Sequence, residues 1–315
     1  MEKILRLCID SGIKDPEIIP LKGDYSMRRI FRIRFTSGTL IAVSGPDIAE
    51  NEAFLSFRNT FDESGFNVPG FIASNVDKSA YLISDLGDVT VKTYCEKKTA
   101  ENDIAAVKKV YKMILKDLTN IQSVLYEKID YSKCYQGDTF DRESMNRDIS
   151  RFEEYFLEKY HKNYDRETFS VFKEFILTTA SNAGTESFMY RDFQTRNIML
   201  KNGKLYYIDF QSGRKGSCLY DLASFIYSSG TIAYEGYEED LARTYYDSSS
   251  KCGKIPYDSF KILLNVFACL RLMQSAGNYA YYYFQRGDKT VEEKKHYSLN
   301  ILKRLSGNLN IETGF

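Results

Sequence analysis

The sequence predicts an α+β protein in which a small lobe built on a β-sheet precedes a large helical lobe. Two observations lead to this fold class. Short apolar segments separated by turn residues occupy much of the first 84 residues, whereas apolar residues recur at helical spacing from residue 101 onward. We expect the boundary after residue 86, which gives lobes of residues 1–86 and 87–315. Ligand sites often lie between domains, so we expect the functional site in the cleft between these lobes.

The first lobe is predicted to contain two helices and five strands. Pro46 favours a helix start, and Gly38 lies in a hairpin turn between two strands. In the second predicted strand, apolar side chains occupy one face and arginines the other, except that Arg29 interrupts the alternation. The helices cover residues 2–11 and 46–64, and the strands cover residues 17–21, 29–35, 39–44, 71–75 and 80–84.

The second lobe is predicted to be mainly helical. Residues 101–127 carry apolar residues with a clear repeat of about 3.6. One hairpin interrupts the helices, because the turn pair Asn202-Gly203 separates two short apolar strands. The hairpin strands cover residues 197–200 and 205–208, and the further helices cover residues 141–160, 165–182, 218–228, 235–249, 256–285 and 290–306.

Composition and charge exclude several classes of function. Lys plus Arg equals Asp plus Glu, at 43 each, so no basic excess indicates a nucleic acid or an anionic membrane as partner. The six Cys form no C-x-x-C pair and there are only two His, which argues against a structural zinc site. The N-terminus lacks the apolar region of a signal peptide, and no apolar run approaches the roughly 20 residues needed to span a bilayer. We therefore expect a reduced, cytoplasmic protein.

The residues with the clearest chemical pattern lie between positions 190 and 210. Asp192 is followed five residues later by Asn197, and Asp209 follows the second hairpin strand. This pattern suits phosphoryl transfer from ATP. Asp192 can orient an attacking hydroxyl group and accept its proton, while Asn197 and Asp209 supply oxygen ligands for Mg²⁺ on the nucleotide phosphates. The predicted hairpin holds Asn197 and Asp209 at adjacent ends, where one metal ion can contact both.

These motifs resemble the aminoglycoside phosphotransferase and choline kinase branch of the protein-kinase-like superfamily. Within it, they match more closely the bacterial sugar kinases that phosphorylate N-acetylmuramate and N-acetylglucosamine at the anomeric hydroxyl. Tyr190 stands where the branch usually has His, and Asp221 matches an Asp that braces the catalytic loop. The matching segments are Arg191-Asp192-Phe193 with Asn197, Ile208-Asp209-Phe210-Gln211 and Tyr220-Asp221-Leu222.

The resemblance implies a bilobal protein-kinase-like fold with a nucleotide-binding first lobe and a catalytic second lobe. It also implies ATP and Mg²⁺ as cofactors and a small molecule, an amino sugar, as the phosphate acceptor. On the nucleotide side, Gly23 and Ser26 lie in the place of a phosphate-covering loop, and Glu52 lies roughly where kinases carry the carboxylate partner of a phosphate-binding Lys. Arg196 matches a position at which some kinase loops carry an Arg.

The predicted strand at residues 39–44 lacks the Lys that grips the α- and β-phosphates in kinases. Some cation should replace it. We favour Arg29, because it falls on the apolar face of its strand, then Arg32, with Arg28 as a further candidate; Arg196 is the candidate for the γ-phosphate.

Alternatives remain at this point. The arginines of the second strand and Glu52 also suit a solvated surface. The alternatives to an amino sugar kinase are a kinase for choline or an aminoglycoside and a module that binds a nucleotide without catalysis. The absent Lys motivates the last alternative, but the joint presence of Asp192, Asn197 and Asp209 argues against it. A protein kinase is disfavoured because no activation-segment pattern follows Asp209.

Overall fold

A five-stranded antiparallel sheet forms the first part of the structure. The computed structural model describes residues 1–21 and 27–315; Gly23 and Ser26 lie outside the described residues. The strands are ordered β1-β2-β3-β5-β4, with the predicted hairpin between β2 and β3 closed by the pair Phe35 and Gly38. The strands are β1 (Glu17–Leu21), β2 (Arg29–Phe35), β3 (Gly38–Ser44), β4 (Phe71–Ser74) and β5 (Ala80–Ser84).

Two helices cover the two faces of this sheet. Helix α1 (Glu2–Asp10) packs Ile4 and Leu7 into a small core with Phe31 and Ile33 of β2. Helix α2 (Ile48–Glu63) turns its phenylalanines into the main core instead. It begins slightly later than predicted from Pro46, because the carboxylate of Asp47 caps it by accepting the backbone N–H of Glu50.

The rest of the chain is mainly helical. One helix, α3, was not expected from the sequence, because only Val91 and Cys95 of it are buried and its apolar residues show little periodicity. The predicted helix at residues 141–160 is an α-helix that continues as a π-helix over Phe152–His161. The helices are α3 (Val91–Ala100), α4 (Ile104–Val124), α5 (Arg142–Arg151), α6 (Arg166–Ser181), α7 (Cys218–Ile226), α8 (Tyr237–Ser248), α9 (Tyr257–Arg286) and α10 (Thr290–Asn308).

Two small strand pairs lie among these helices. The predicted hairpin is confirmed as β7 (Ile198–Lys201) paired with β8 (Lys204–Tyr207), and Asn202 and Gly203 in its turn both have positive φ. The second pair joins β6 (Ser187–Met189) to β9 (Arg214–Gly216). These two pairs carry the segments on either side of residues 190–197 and Asp209.

Aromatic packing connects the sheet part to the helical part. Phe210 stacks between Phe54 and Phe61 of α2, with ring centroids 5.1 and 4.6 Å apart. This contact fixes α2 next to the residue that follows Asp209. The sheet ends at Ser84, close to the expected boundary at residue 86, and the division into lobes of residues 1–86 and 87–315 stays a prediction. Within the described parts of the chain, no helix has both the length and the apolar character needed to cross a membrane.

Candidate active site

The loop that begins at Tyr190 is held by one buried carboxylate. Asp221, in the first turn of α7, accepts the backbone N–H of Tyr190 at 2.7 Å and that of Arg191 at 2.9 Å. Burial raises the pKa of Asp221 to about 7, although the two backbone N–H groups favour its charged form. Arg191 adopts a φ of 84°, a left-handed conformation that a non-glycine residue keeps only when its surroundings enforce it. Asp221 thus braces the loop, as the resemblance implies.

Tyr190 supplies the second brace. Its side chain is fully buried, and its hydroxyl donates a hydrogen bond to the backbone carbonyl of Ile208. Ile208 directly precedes Asp209. The tyrosine that stands in place of the usual His therefore ties the loop to the segment that carries Asp209.

Asp192 lies in this loop with its side chain partly open to solvent. Its Oδ1 accepts a hydrogen bond from Nη2 of Arg271 at 3.1 Å and a longer one from Nε2 of Gln194 at 3.4 Å. Arg271 is buried in α9, where its Nε donates to Ser224. The arginine fixes the direction of the carboxylate. Sequence reasoning missed Arg271, because the apolar residues of α9 are typical of a core helix. No motif near Arg271 indicates a contact with Asp192, which lies 79 residues away in the chain.

Asn197 and Asp209 lie together, as the hairpin predicts. Nδ2 of Asn197 donates to the backbone carbonyl of Asp192 at 2.8 Å and lies 3.5 Å from Oδ2 of Asp209. Asp209 has a φ of 68°, the second left-handed non-glycine conformation at this site. The three residues expected to carry phosphoryl transfer are therefore brought into one small region, while their roles stay predictions.

A buried arginine connects the sheet part to Asp209. Nη2 of Arg28 donates to Oδ1 of Asp209 at 2.7 Å, and its Nε lies 3.1 Å from Oε1 of Glu50. The Arg28 side chain is only 9% exposed. Burial by itself would raise the pKa of Asp209, but the charge of Arg28 and hydrogen bonds from Gln211 and Arg28 hold that pKa below its usual value.

This geometry corrects two expectations about the nucleotide side. Glu52 points away from the cleft and pairs with Lys78 at 2.8 Å on a partly exposed surface. Glu50 occupies the expected place instead, because it continues the buried stripe of Phe54, Phe57 and Phe61 along α2. The spacing of that stripe was the signal in the sequence that would have selected Glu50.

The expectation that Arg29 replaces the missing Lys is also corrected. Arg29 has an exposed side chain, and Arg32 forms ion pairs with Asp85 at 2.6 Å and Asp88 at 2.8 Å. Among the candidate arginines near β2, Arg28 is the one whose side chain contacts Asp209. Arg28 precedes β2, so the alternation of side chains along that strand does not extend to it. Arg196 is half-buried and close enough to Asp209 to lower its pKa.

The donor set fits a magnesium ion. Oε1 of Gln211 is buried and accepts no hydrogen bond from the residues that the structure describes, while Nε2 of the same side chain donates to Asp209 at 2.9 Å. The described residues contain no group of three or more His, Cys, Asp or Glu side chains arranged to hold a metal ion. Magnesium in phosphoryl-transfer sites needs only one or two carboxylates together with phosphate oxygens and water. Asp209 and Asn197 provide such a set.

A pocket of about 500 Å³ opens beside Asp192, within the range of about 300 to 1,000 Å³ typical of small-molecule sites. Helices α5 and α9 form its walls. Gly277 allows them to approach closely, because a Cβ atom there would lie 2.7 Å from the backbone nitrogen of Phe152. The side chains that these two helices contribute are Ser144, Arg147, Asp148, Arg151, Gln274, Asn278 and Tyr282.

Comparison with known proteins identifies the family of this chain. The model of a family described as "Phosphotransferase enzyme family" matches residues 17–251. The chain belongs to this family. It is a kinase that transfers phosphate to an alcohol group. A curated relative of this phosphotransferase is the N-acetylmuramate/N-acetylglucosamine kinase of Neisseria meningitidis serogroup B. The two are 25% identical over 304 residues, which cover 93% of this chain and 86% of the relative.

Solved structures share the fold of the phosphotransferase. The choline kinase of Streptococcus pneumoniae superimposes with a TM-score of 0.65 at 14% identity, covering 98% of this chain and 99% of that chain. An amicoumacin kinase in a complex that includes AMP-PNP and Ca²⁺ gives a TM-score of 0.64 at 10% identity, covering 96% and 93%. The predicted α+β, protein-kinase-like fold and the family resemblance are confirmed.

Proposed function

We propose that this phosphotransferase transfers the γ-phosphate of ATP, with Mg²⁺, to a hydroxyl group of an amino sugar. The observation that carries the proposal is the position of Asp192, which lines a pocket of about 500 Å³ and lies in the same loop as Asn197, next to Asp209. The name of the Neisseria relative supports N-acetylmuramate or N-acetylglucosamine as the acceptor. By resemblance, the acceptor hydroxyl is the anomeric one.

Asp192 is assigned as the group that orients the acceptor. A hydroxyl group in the pocket donates a hydrogen bond to the carboxylate, and the proton passes to that carboxylate as the oxygen attacks the γ-phosphorus of ATP. The bond between the γ-phosphorus and the β–γ bridging oxygen breaks, and ADP leaves. Arg271 contacts Oδ1 of Asp192 and leaves Oδ2 for the acceptor. The arginine fixes which carboxylate oxygen faces the substrate.

Asp209 and Asn197 are assigned to the metal ion. When bound, Mg²⁺ offsets charge on the nucleotide phosphates during transfer. Arg28 keeps Asp209 ionised, which an oxygen ligand of a hard cation requires. The bound AMP-PNP and Ca²⁺ named for the amicoumacin kinase support a nucleotide and a divalent cation in this fold.

Arg28 is assigned the task of the missing Lys. In kinases that Lys pairs with a carboxylate of the helix beside the sheet and grips the α- and β-phosphates. Arg28 makes the equivalent pair with Glu50 of α2, 3.1 Å away, and approaches the metal ligand Asp209 as well. A guanidinium group can hold phosphate oxygens bidentately, and we assign Arg28 this task.

A kinase assay with ATP and Mg²⁺ tests the proposed function. We expect phosphorylation of N-acetylmuramate or N-acetylglucosamine, and little transfer to choline, aminoglycosides or protein substrates in the same panel. Transfer to choline or an aminoglycoside while both sugars stay unreacted would assign the chain to another activity of its family. ATP binding without transfer to any acceptor would support a binding module.

A further inference from the structure

The pocket beside Asp192 has more positive than negative side chains. Four arginines and two aspartates line it, and the aspartates are Asp148 and Asp192. Asp148 pairs with Arg191 at 2.7 Å, and Asp192 pairs with Arg271 at 3.1 Å. Both carboxylates of the pocket are therefore already matched by an arginine. The four arginines of the lining are Arg147, Arg151, Arg191 and Arg214.

Arg214 is a buried cation whose contacts are all neutral. It is 4% exposed and donates to the backbone carbonyls of Gln136 and Ser212 and to Oε1 of Gln136. Among the described residues, no carboxylate lies within the 4.0 Å that defines an ion pair with it. Burial, with the nearby charge of Arg191, lowers the pKa of Arg214 to about 10. A buried charge without a counterion is costly, so this position calls for an anion.

A second arginine, at the rim of the pocket, also lacks a carboxylate partner among the described residues. Arg151 at the end of α5 is exposed, donates from Nη1 to Oδ1 of Asn278 at 2.9 Å and lies over the ring of Tyr281. No described carboxylate forms an ion pair with Arg151. Arg147, by contrast, is matched by Glu143 at 2.7 Å. Two cations of one pocket, Arg214 and Arg151, therefore have no negative partner in the described protein.

The nucleotide does not account for this charge. Among the described residues, the pocket lining includes Asp192 but not the proposed phosphate and metal residues Arg28, Asn197 and Asp209. The anion that the pocket favours must therefore arrive with the acceptor. Arginine suits a carboxylate in particular, because its planar fork matches the two carboxylate oxygens.

We propose that the acceptor carries a carboxylate, which Arg214 binds with help from the positive charge of Arg151. This inference rests on the proposed function and narrows it. Of the two sugars in the name of the Neisseria relative, N-acetylmuramate carries a carboxylate, on its lactyl ether, and N-acetylglucosamine carries none. The phosphotransferase should therefore prefer N-acetylmuramate, or another amino sugar acid, over the neutral sugar.

The decisive comparison is between N-acetylmuramate and its carboxamide, which lacks the negative charge. The full chain is assayed with N-acetylmuramate, with the carboxamide made from its lactyl group, and with N-acetylglucosamine. We expect the carboxylate to raise kcat/KM by roughly 10- to 100-fold over the carboxamide, the value of a hydrogen-bonded ion pair of about 1.5–3 kcal/mol. Equal kcat/KM for the acid and its amide would overturn the inference while leaving the proposed function intact.

Substitutions test which residues cause the preference for the acid over the amide. Arg214→Gln should reduce the acid-to-amide ratio of kcat/KM to within a few-fold, and Arg151→Gln should reduce it by roughly two- to five-fold, because an exposed charge is screened by water. Lys215→Gln and Arg142→Gln are matched controls. Lys215 neighbours Arg214 on β9 and pairs with Asp138, and Arg142 lies on α5 and pairs with Glu174, so both controls should keep the wild-type ratio.

Binding measurements separate the two proposals. Calorimetric titration of the chain with each sugar needs no phosphoryl transfer. If neither sugar is phosphorylated, the proposed function fails, and tighter binding of the acid than of the amide still supports the anion pocket. Equal binding of acid and amide overturns it. If Arg214→Gln does not fold, the ratio in Arg151→Gln and the acid–amide comparison in the wild-type chain decide.

Discussion

Nη2 of Arg28 donates to Oδ1 of Asp209 at 2.7 Å, although the two residues lie 181 positions apart in the chain. The contact joins the segment before β2 to the segment after β8, and Glu50 completes it from α2 at 3.1 Å. One guanidinium group thereby links the expected nucleotide side of the cleft to the expected metal ligand. It offers a physical replacement for the Lys that β3 lacks.

Substitution of Arg28 should weaken the use of ATP. We expect Arg28→Met to raise the KM for ATP by roughly 10- to 100-fold, with a smaller change in the KM for the sugar, because a charged hydrogen bond to phosphate is lost. Arg34→Met is the matched control, since Arg34 lies on β2 but pairs with Glu17 at the exposed surface. Steady-state kinetics decide; equal KM values for ATP in Arg28→Met and Arg34→Met would remove Arg28 from this role.

The Arg28→Met substitution should also change the pH dependence of kcat/KM for ATP. With Arg28 removed, Asp209 loses a charge and a hydrogen bond that lower its pKa, so that pKa should rise. The acid limb of kcat/KM for ATP should then move to higher pH. In the wild type the low pKa stabilises the fold above the unfolded pKa of about 4, and this contribution disappears as pH falls through the lower folded pKa. An acid limb at the same pH in wild type and Arg28→Met would contradict this account.

Asp192 should be needed for turnover rather than for nucleotide binding. We expect Asp192→Asn to lower kcat by roughly two to four orders of magnitude, the usual effect of losing a general base. The Kd for ATP should stay close to that of the wild type, because Asp192 lies on the acceptor side of the site. Near-normal turnover of the purified variant would exclude Asp192 as the proton acceptor.

The two expected metal ligands should differ in importance. Asp209→Ala removes an anionic oxygen and should abolish Mg²⁺-dependent activity, whereas Asn197→Ala removes a neutral ligand and should leave part of it. Titration of activity with Mg²⁺ distinguishes the two variants. Asn197→Ala also removes the hydrogen bond to the backbone carbonyl of Asp192, so thermal unfolding of each variant serves as the control for loop integrity. Normal Mg²⁺ dependence in Asp209→Ala would show that the metal binds elsewhere.

The proximities that the sequence predicted correctly are those that depend on local order. Asn197 and Asp209 end up together because a two-residue Asn-Gly turn returns the chain directly, and both strands are short. Asp221 was expected from the resemblance, and its two hydrogen bonds to the loop match that expectation. Local turn chemistry and short spacings are properties that a sequence shows directly.

The residues that were missed or not favoured depend on contacts between distant segments. Arg271 reaches Asp192 from the middle of a long apolar helix, and Arg28 reaches Asp209 from a point before its strand begins. The alternation of side chains along β2 favoured Arg29. Arg28 precedes β2, so that alternation does not predict the direction of its side chain. The position of Glu50 could have been predicted from helical periodicity, because Glu50 shares a face of α2 with three buried phenylalanines.

The position of phosphate on the product tests the central claim most directly. The chain is incubated with ATP, Mg²⁺ and N-acetylmuramate labelled with ¹³C, and the product is observed by ¹³C and ³¹P NMR. The account predicts a single phosphorylated sugar in which phosphorus couples to carbon 1. Phosphorus coupled to carbon 6, or release of inorganic phosphate without any sugar phosphate, would contradict it.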